Sequence, residues 1–219
     1  MKKRNPYDQW APDSRALDIA GDKWTLLIVR DLAAGPRRFV ALERGLPGIS
    51  TEQLRVRLAQ MVADGIVTRV RYREAPPRVE YSLTPRGRDL MQVVHALAGW
   101  GARWTWSPPR RGEYVDAGAL IRLAAESPVP AGLEGEIAAV VSGGRGAGAD
   151  QVYLLEARAG RLSVTAAERV DGRPAMSGDQ RAWVRALGPS GDHSRLSIDG
   201  DSRFAGELLD ALRHSREHD

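Results

Sequence analysis

Residues 48–87 read GISTEQLRVRLAQMVADGIVTRVRYREAPPRVEYSLTPRG, and the first part of this stretch has the pattern of a helix. Apolar side chains recur at spacings of three and four residues, at Leu54, Leu58 and Met61. Ser50 is a favourable N-cap, and Gln53 three residues later completes a capping-box pattern. The sequence therefore predicts a helix from Ser50 to Ala63, followed by a glycine stop.

Two alternating runs follow this helix. Residues 66–73 alternate apolar and basic side chains, and residues 78–83 alternate again after a proline-containing turn. Two such runs around a short loop are typical of a β-hairpin. Its outer face is expected to carry Arg69, Arg71 and Arg73, with Arg78 beside them.

Helical patterns also precede the stretch. Residues 16–34 give an apolar stripe, interrupted at Gly21, and residues 39–44 give a short helix. Three short helices followed by a hairpin predict a winged helix-turn-helix, in which the third helix enters a DNA groove and the hairpin arginines meet phosphates. The alternative is that the hairpin arginines form only a solvated surface.

Charge divides the chain into two halves. Residues 1–111 carry 20 basic against 11 acidic side chains, a net charge of +9, whereas residues 112–219 carry 12 against 17, a net charge of −5. A basic half favours a polyanionic partner. We predict a DNA-binding and dimerisation domain at 1–106, a linker at 107–113 and a second domain at 114–219.

The basic half also resembles a known family. The segments KWTLLI, GPRRF, LPGIS and PPRVEYSLTPRG, within residues 10–105, are similar to the HxlR-type winged-helix transcription regulators. The resemblance implies a homodimer that binds a two-fold-related operator on double-stranded DNA. Family members that sense oxidants carry a Cys-Pro pair near the N-terminus. Ala11-Pro12 stands there instead, so thiol sensing is not expected.

Two sets of side chains are expected to contact DNA. The helix set lies nearest the bases or their adjoining phosphates and comprises Ser50, Thr51, Gln53, Arg55 and Arg57. The backbone set comprises Lys23, Arg37, Arg38, Arg71, Arg73 and Arg78.

A strongly aromatic helix is predicted after Thr84-Pro85, with His95 on its surface. A dimer seam would use large apolar side chains that a small domain does not need for its own core. The predicted seam residues are Trp10, Val94, Leu97, Trp100 and Trp104. Ordinary core packing of this helix is the alternative.

The acidic half predicts an α+β layer. A helix is expected within 114–126, then three strands at 135–143, 150–158 and 160–169, a helix at 179–187, a strand at 195–200 and a closing helix at 202–213. The fold class is therefore α+β, with an N-terminal winged helix-turn-helix domain.

No catalytic, metal or cofactor site is expected. The segment GGRGAG at 143–148 leads into a strand rather than a helix, which argues against a nucleotide loop. His214 and His218 lack a third ligand nearby, and the chain contains no cysteine. The chain also lacks a membrane-spanning run, and a cytoplasmic, non-enzymatic protein is expected.

The order of elements in residues 115–215, above all the ending RLSIDGDSRFAGELLDALR, is similar to the sterol-carrier-like (SCP2-like) domain. The resemblance implies an apolar tunnel and an apolar small-molecule effector. The expected ligand contacts are Val140, Leu154, Val164, Trp183, Phe204 and Leu208. An ordinary filled core needs the same residues. Two alternatives thus stay open: a purely structural or dimerising second domain, or a lipid- or metabolite-binding protein with secondary DNA binding.

Overall fold

The computed structural model describes residues 6–73, 77–143 and 150–214. The proline turn of the hairpin at 74–76, the glycine-rich segment at 144–149, the side chain of His214 and all of His218 lie outside the described residues. The chain divides into two compact units between Met91 and Gln92.

The first unit contains a helical core and a small sheet. Its elements are α1 (Pro12–Ala20), α2 (Thr25–Leu32), β1 (Arg37–Arg38), α3 (Phe39–Gly45), α4 (Thr51–Ala63), β2 (Val67–Tyr72), β3 (Arg78–Leu83) and α5 (Pro85–Asp89). The sheet has the order β1-β3-β2, with both pairs antiparallel. Helices followed by this hairpin form the predicted winged helix-turn-helix arrangement.

The apolar stripes predicted from spacing form the core of the first unit. Leu54, Leu58 and Met61 of α4 are buried, and so are Ile28 and Leu32 of α2. Burying one such side chain contributes about 1.5–3 kcal/mol. These helices are short, so their stability comes mainly from this packing rather than from helix propensity.

The second unit begins with the aromatic helix and continues as an α+β layer. Its elements are α6 (Met91–Trp104), α7 (Ala117–Leu123), β4 (Gly135–Ser142), β5 (Gln151–Arg158), β6 (Arg161–Ala167), β7 (Ala175–Asp179), α8 (Gln180–Leu187), β8 (Ser197–Asp199) and α9 (Ser202–His214). The sheet has the order β6-β5-β4-β7-β8. β4 and β7 are parallel, and the other neighbours are antiparallel.

Helices cover one face of this five-stranded sheet. Alternate residues of β4 and β5, among them Ile137, Ala139 and Leu155, share that face and are buried. A Cβ on Gly135 would lie 2.9 Å from the ring of Phe204, which places α9 against this face. The opposite face carries exposed Glu136 and Glu156 and is more polar.

Three features differ from the sequence predictions. The two-residue strand β1 and the strand β7 were not predicted, because neither has an alternating apolar pattern; pairing with β3 and with β4 forms them. The single helix expected after Thr84-Pro85 is instead α5 and α6, separated at Leu90. His95, expected on the surface, is half-buried, and its Nε2 lies 3.0 Å from the carbonyl oxygen of Leu123.

Candidate nucleic-acid interface

The N-terminus of α4 carries the capping box that the sequence predicts. The backbone N–H of Gln53 donates to Ser50 Oγ at 3.2 Å, and the backbone N–H of Ser50 donates to Gln53 Oε1 at 3.0 Å. Ser50 is thus engaged in helix capping, while the side-chain Nε2 of Gln53 takes no part in the capping box. Both side chains are exposed, so this helix end is ordered and open to a partner.

Two further hydrogen bonds hold the ends of α4. At its start, Thr51 Oγ1 donates to Glu43 Oε1 of α3 at 2.6 Å. After its end, Arg86 of α5 donates to the carbonyl oxygen of Asp64 at 3.0 Å, where a cation stabilises a helix C-terminus. The flanking helices therefore fix the direction of α4.

One face of α4 is exposed along its length. Glu52, Arg55, Ala59 and Val62 follow one another at spacings of three and four residues, and all four are exposed. Arg55 forms an ion pair with Glu52 at 2.7 Å, with 67% of its side chain exposed. This face can approach a groove, with Arg55 as its accessible cation.

Arg57 lies on the other side of α4. Its side chain is only 19% exposed, and its NH1 lies 3.0 Å from Asp22 Oδ2. Gln60, three residues further along α4, is also buried. The structure thus separates Arg57 from the exposed Thr51 and Arg55, with which it was grouped; Gln53, four residues before Arg57, lies on the same side of α4 but is exposed at the helix end.

The hairpin of β2 and β3, which we call the wing, carries arginines on two faces. Arg71 is opposite Val79, whereas Arg78 is opposite Tyr72. Because faces alternate along a strand, Arg69 and Arg71 share one face and Arg78 lies on the other. The expectation that all of them share one outer face is therefore wrong: Arg78 lies on the opposite face, and the face of Arg69 and Arg71 is the one that continues from the buried Val67 and Leu83.

The arginines on the two wing faces also differ in their contacts with carboxylates and aromatic rings. Arg69, Arg71 and Arg73 are exposed, and within the described residues no carboxylate lies within 4.0 Å of them. Arg78 stacks 4.6 Å from the Tyr72 ring centroid, and its Nε lies 3.3 Å from Glu80 Oε1. The first three arginines are the more available to phosphates.

The remaining predicted backbone contacts differ in accessibility. Arg37 is 22% exposed and lies 3.7 Å from the buried carboxylate of Asp31. Arg38 is 62% exposed, at 3.9 Å from Glu80, and Lys23 is exposed with its Nζ 4.8 Å from the Trp24 ring centroid. Arg38 and Lys23 can thus turn towards a polyanion, while Arg37 also neutralises a buried charge.

An apolar stripe is exposed on α6. Val93, Leu97, Trp100 and Trp104 recur at spacings of four, three and four residues and are 48–68% exposed. Trp10, before α1, is 93% exposed. Val94 was predicted to belong to the seam, but it is buried at 7% exposure, and Val93 occupies the exposed position.

The residues expected to line a ligand tunnel fall into two groups. Val164, Trp183, Phe204 and Leu208 are buried, and Val164 lies on the helix-covered sheet face. Strand register places Val140 and Leu154 on the other face, so these six residues do not surround one space. Trp183 Nε1 donates to the carbonyl oxygen of Val140 at 2.8 Å, which fixes the indole in the packed core.

An open groove of about 380 Å³ lies elsewhere in the second unit. It is lined by Pro130, Gly132, Leu133, Glu207, Asp210 and Ala211. None of the predicted ligand contacts lines it, so sequence reasoning did not find this feature. Its residues come from a proline-containing loop and the outer side of α9, which have no distinguishing motif.

Two further features are absent from residues 6–73, 77–143 and 150–214. In these ranges no group of three or more His, Cys, Asp or Glu side chains could hold a metal ion. None of the helices within them is sufficiently long and apolar to span a membrane.

The fold and the exposed helix and wing define a winged helix-turn-helix protein. The family model described as HxlR-like helix-turn-helix matches residues 19–108. An uncharacterised HTH-type transcriptional regulator of Synechocystis, sll1512, is 44% identical over 93 residues, which are 42% of this chain and 69% of that protein. YtcD of Bacillus subtilis, likewise an uncharacterised HTH-type regulator, is 37% identical over 86 residues, 39% of this chain and 68% of that one.

The chain belongs to the HxlR-like helix-turn-helix family. Among solved structures, the redox regulator HypR in its oxidised form is 38% identical, with a TM-score of 0.40, and the match covers 42% of this chain and 94% of HypR. The reduced form of the regulator YodB from B. subtilis is 31% identical, with a TM-score of 0.40, covering 44% and 96% of the two chains.

Proposed function

We propose that this protein is a sequence-specific DNA-binding transcription regulator. The observation that carries the proposal is the combination of an open, capped N-terminus on α4 with exposed wing arginines. A recognition helix reads base edges through its N-terminal residues, and cations beside it hold the phosphates. The relatives named as HTH-type transcriptional regulators support the same function.

The role of each side chain in DNA binding follows from how exposed it is. Thr51, Gln53 and Arg55 approach the bases or the adjoining phosphates, and the exposed guanidinium of Arg55 is the candidate for a bidentate contact with a guanine edge. Arg71 and Arg73 bind phosphates, with Lys23 and Arg38 as further backbone contacts. Arg37 and Arg78 contribute less, since carboxylates already neutralise part of their charge.

The protein acts as a homodimer in this proposal. The exposed stripe of α6, together with Trp10, is the apolar surface that a second copy would cover. A two-fold dimer presents two copies of α4 to successive major grooves, about 34–36 Å apart when the half-sites are separated by one turn. A two-fold-related operator is then the matching DNA.

The second unit is proposed as an SCP2-like, effector-binding domain. Its support is the sheet covered on one face by amphipathic helices, which agrees with the resemblance in residues 115–215. An apolar effector would enter between this sheet face and the helices, beside Trp183, Phe204 and Leu208. Such a ligand changes DNA affinity only if it binds the two dimer arrangements with different affinity.

The first experiment is fluorescence anisotropy with the protein's own upstream promoter DNA and a scrambled duplex, at two salt concentrations. A large preference for the promoter is expected. Equal and steeply salt-dependent binding to both duplexes would contradict sequence-specific regulation. Titration of the promoter complex with dodecanoate then tests the second unit, because an unchanged affinity favours a purely structural role.

A further inference from the structure

Asp22 is an organising carboxylate at the start of α2. Its Oδ1 accepts from the backbone N–H of Trp24 at 2.8 Å and from that of Thr25 at 3.1 Å. Its Oδ2 accepts from the hydroxyl of Thr25, which is itself fully buried. Three hydrogen bonds from the first turn of α2 therefore hold the carboxylate in one orientation.

Arg57 joins this fixed carboxylate to α4. Its NH1 lies 3.0 Å from Asp22 Oδ2 in an ion pair, and the two side chains are 19% and 21% exposed. Arg57 is one turn from the buried Leu54 and adjacent to the buried Leu58. A partly buried ion pair is stronger than one in open solvent, and removing one partner leaves the other charge uncompensated.

This pair lies away from the exposed face of α4. Three helix positions separate Arg57 from Leu54, which places it next to the buried stripe and roughly opposite Arg55 and Ala59. When the exposed face enters a groove, Arg57 points back towards α2. Its guanidinium is thus suited to holding the helix rather than to contacting DNA.

We propose that Asp22 and Arg57 are positioning residues that set the pose of α4 for base reading, and that Arg57 does not contact the phosphates. The inference rests on the proposed function. Base-edge hydrogen bonds need donor–acceptor distances near 3 Å and narrow angles, so a small rotation of α4 weakens them. Phosphate contacts from long, exposed arginines tolerate that rotation and supply non-specific affinity.

The test measures promoter and scrambled-DNA binding over a salt series for Arg57→Gln, Asp22→Asn and the double variant. Asn at position 22 keeps the capping acceptor, so this variant removes mainly the charge. Each single variant should lower promoter preference about tenfold, comparable with one lost base contact, with the salt slope unchanged. The double variant should resemble the single variants, because each single substitution already removes the same ion pair.

Two controls separate positioning from other roles. Arg57→Lys keeps a cation beside Asp22 and should retain most of the promoter preference. Arg55→Gln, two residues away on the exposed face, does not touch that carboxylate, yet combined with Asp22→Asn it should cost less than the sum of the two single effects, since rotation of α4 acts through base contacts such as that of Arg55. Thermal unfolding of every variant shows whether binding is measured on folded protein.

Three results would overturn the inference. If Arg57→Gln reduced the magnitude of the salt slope by about one unit on both duplexes, Arg57 would be a phosphate contact. Unchanged promoter preference in a destabilised variant would make the pair only a structural brace, and additive effects of Arg57→Gln and Asp22→Asn would separate their roles. Failure of the proposed function is a different result: the unsubstituted protein would not prefer the promoter, and the inference would fall with it.

Discussion

Among the described glycines of the first unit, Gly87 has the least room for a side chain. A Cβ at this position would lie 2.1 Å from the carbonyl oxygen of Ile66, while the Gly87 N–H donates to Thr84 Oγ1 at 3.0 Å. The turn after the wing therefore packs directly against the start of the wing's first strand, and only a residue without a side chain fits there.

Gly87→Ala should accordingly destabilise the protein by about 1–3 kcal/mol, because the clash is with backbone atoms that cannot move aside. Gly206→Ala is the matched control: this helical glycine has no atom within 4 Å of a built Cβ. Its replacement should stabilise α9 by about 0.5–1 kcal/mol. Urea unfolding checks both, and equal midpoints for the two variants would contradict the packing at Gly87.

Asp192 gives a pH prediction at the same scale. Hydrogen bonds from the Ser194 hydroxyl and backbone N–H, with a further one from Arg185, lower the pKa of Asp192 from 3.8 to about 2. A depressed folded-state pKa stabilises the protein at pH values above the unfolded pKa. That contribution is lost as pH falls from about 4 to about 2.

Asp192→Asn should therefore lower the melting temperature at pH 6 and have a smaller effect near the folded pKa. Arg181→Gln, an exposed arginine on α8, provides a surface control. The measurement is thermal unfolding by circular dichroism across this pH range. If the difference in melting temperature between Asp192→Asn and the unsubstituted protein stayed constant with pH, the lowered pKa of Asp192 would be contradicted.

At the scale of elements, the wing is a two-faced hairpin. Strand register puts Arg71 with Val79 on one face and Arg78 with Tyr72 on the other. The face of Arg69 and Arg71 begins at the apolar, buried pair Val67 and Leu83, and it therefore faces the core at that end. Further along the hairpin, the same face carries exposed arginines instead of buried apolar side chains. Their guanidinium groups extend where the helices no longer cover the strand.

Replacing Arg71 and Arg73 together by Ala should weaken binding to promoter and scrambled DNA alike and reduce the magnitude of the salt slope by about two units, since two phosphate contacts are lost. Arg78→Ala should change the slope less, because Glu80 already partners this arginine. Anisotropy over a salt series measures both. A larger slope change for Arg78→Ala would reverse the assignment of the two faces.

At the scale of the whole molecule, α6 presents the most extended exposed apolar stripe among the described helices. The family match extends to residue 108, yet the boundary between the two compact units falls before Gln92. The helix proposed as the dimer seam thus groups with the second unit in the folded chain. An effector bound in the second unit would therefore act on the unit that also carries the proposed dimer seam.

Leu97→Glu should convert the proposed dimer into monomers, because a carboxylate at the seam loses its hydration without gaining a partner. Val70→Glu is the matched control, with Val70 43% exposed on the wing and Leu97 55% exposed on α6. Sedimentation velocity measures the oligomeric state. Monomers without any substitution, or dimers that persist in Leu97→Glu, would place the seam elsewhere or remove it.

The sequence was informative wherever the physics is local. The capping box depends on four consecutive residues, so the sequence alone is enough to pair Ser50 with Gln53. The wing strands follow from alternation, and β3 begins and ends where predicted. Family resemblance over residues 10–105 added the class of protein, which the family match supports.

Other features depend on distant parts of the chain, and local patterns do not predict them. Arg57 and Asp22 are 35 positions apart, so nothing local shows that they pair. Val94 and Val93 have equal hydrophobicity, and only the surrounding packing decides which is buried. β7 lacks a strand pattern because its partner β4 supplies the hydrogen bonds.

Local sequence patterns specify the apolar stripes of the helices, the capping box of α4, the wing strands and the basic character of the first half, since each depends on neighbouring residues or on composition. Which arginines remain available depends instead on tertiary contacts. The tertiary structure paired Arg57 with Asp22, turned Arg78 towards Glu80 and left Arg71 exposed. The physical reason is that charge availability depends on burial and on partners brought together by folding, which no local pattern records.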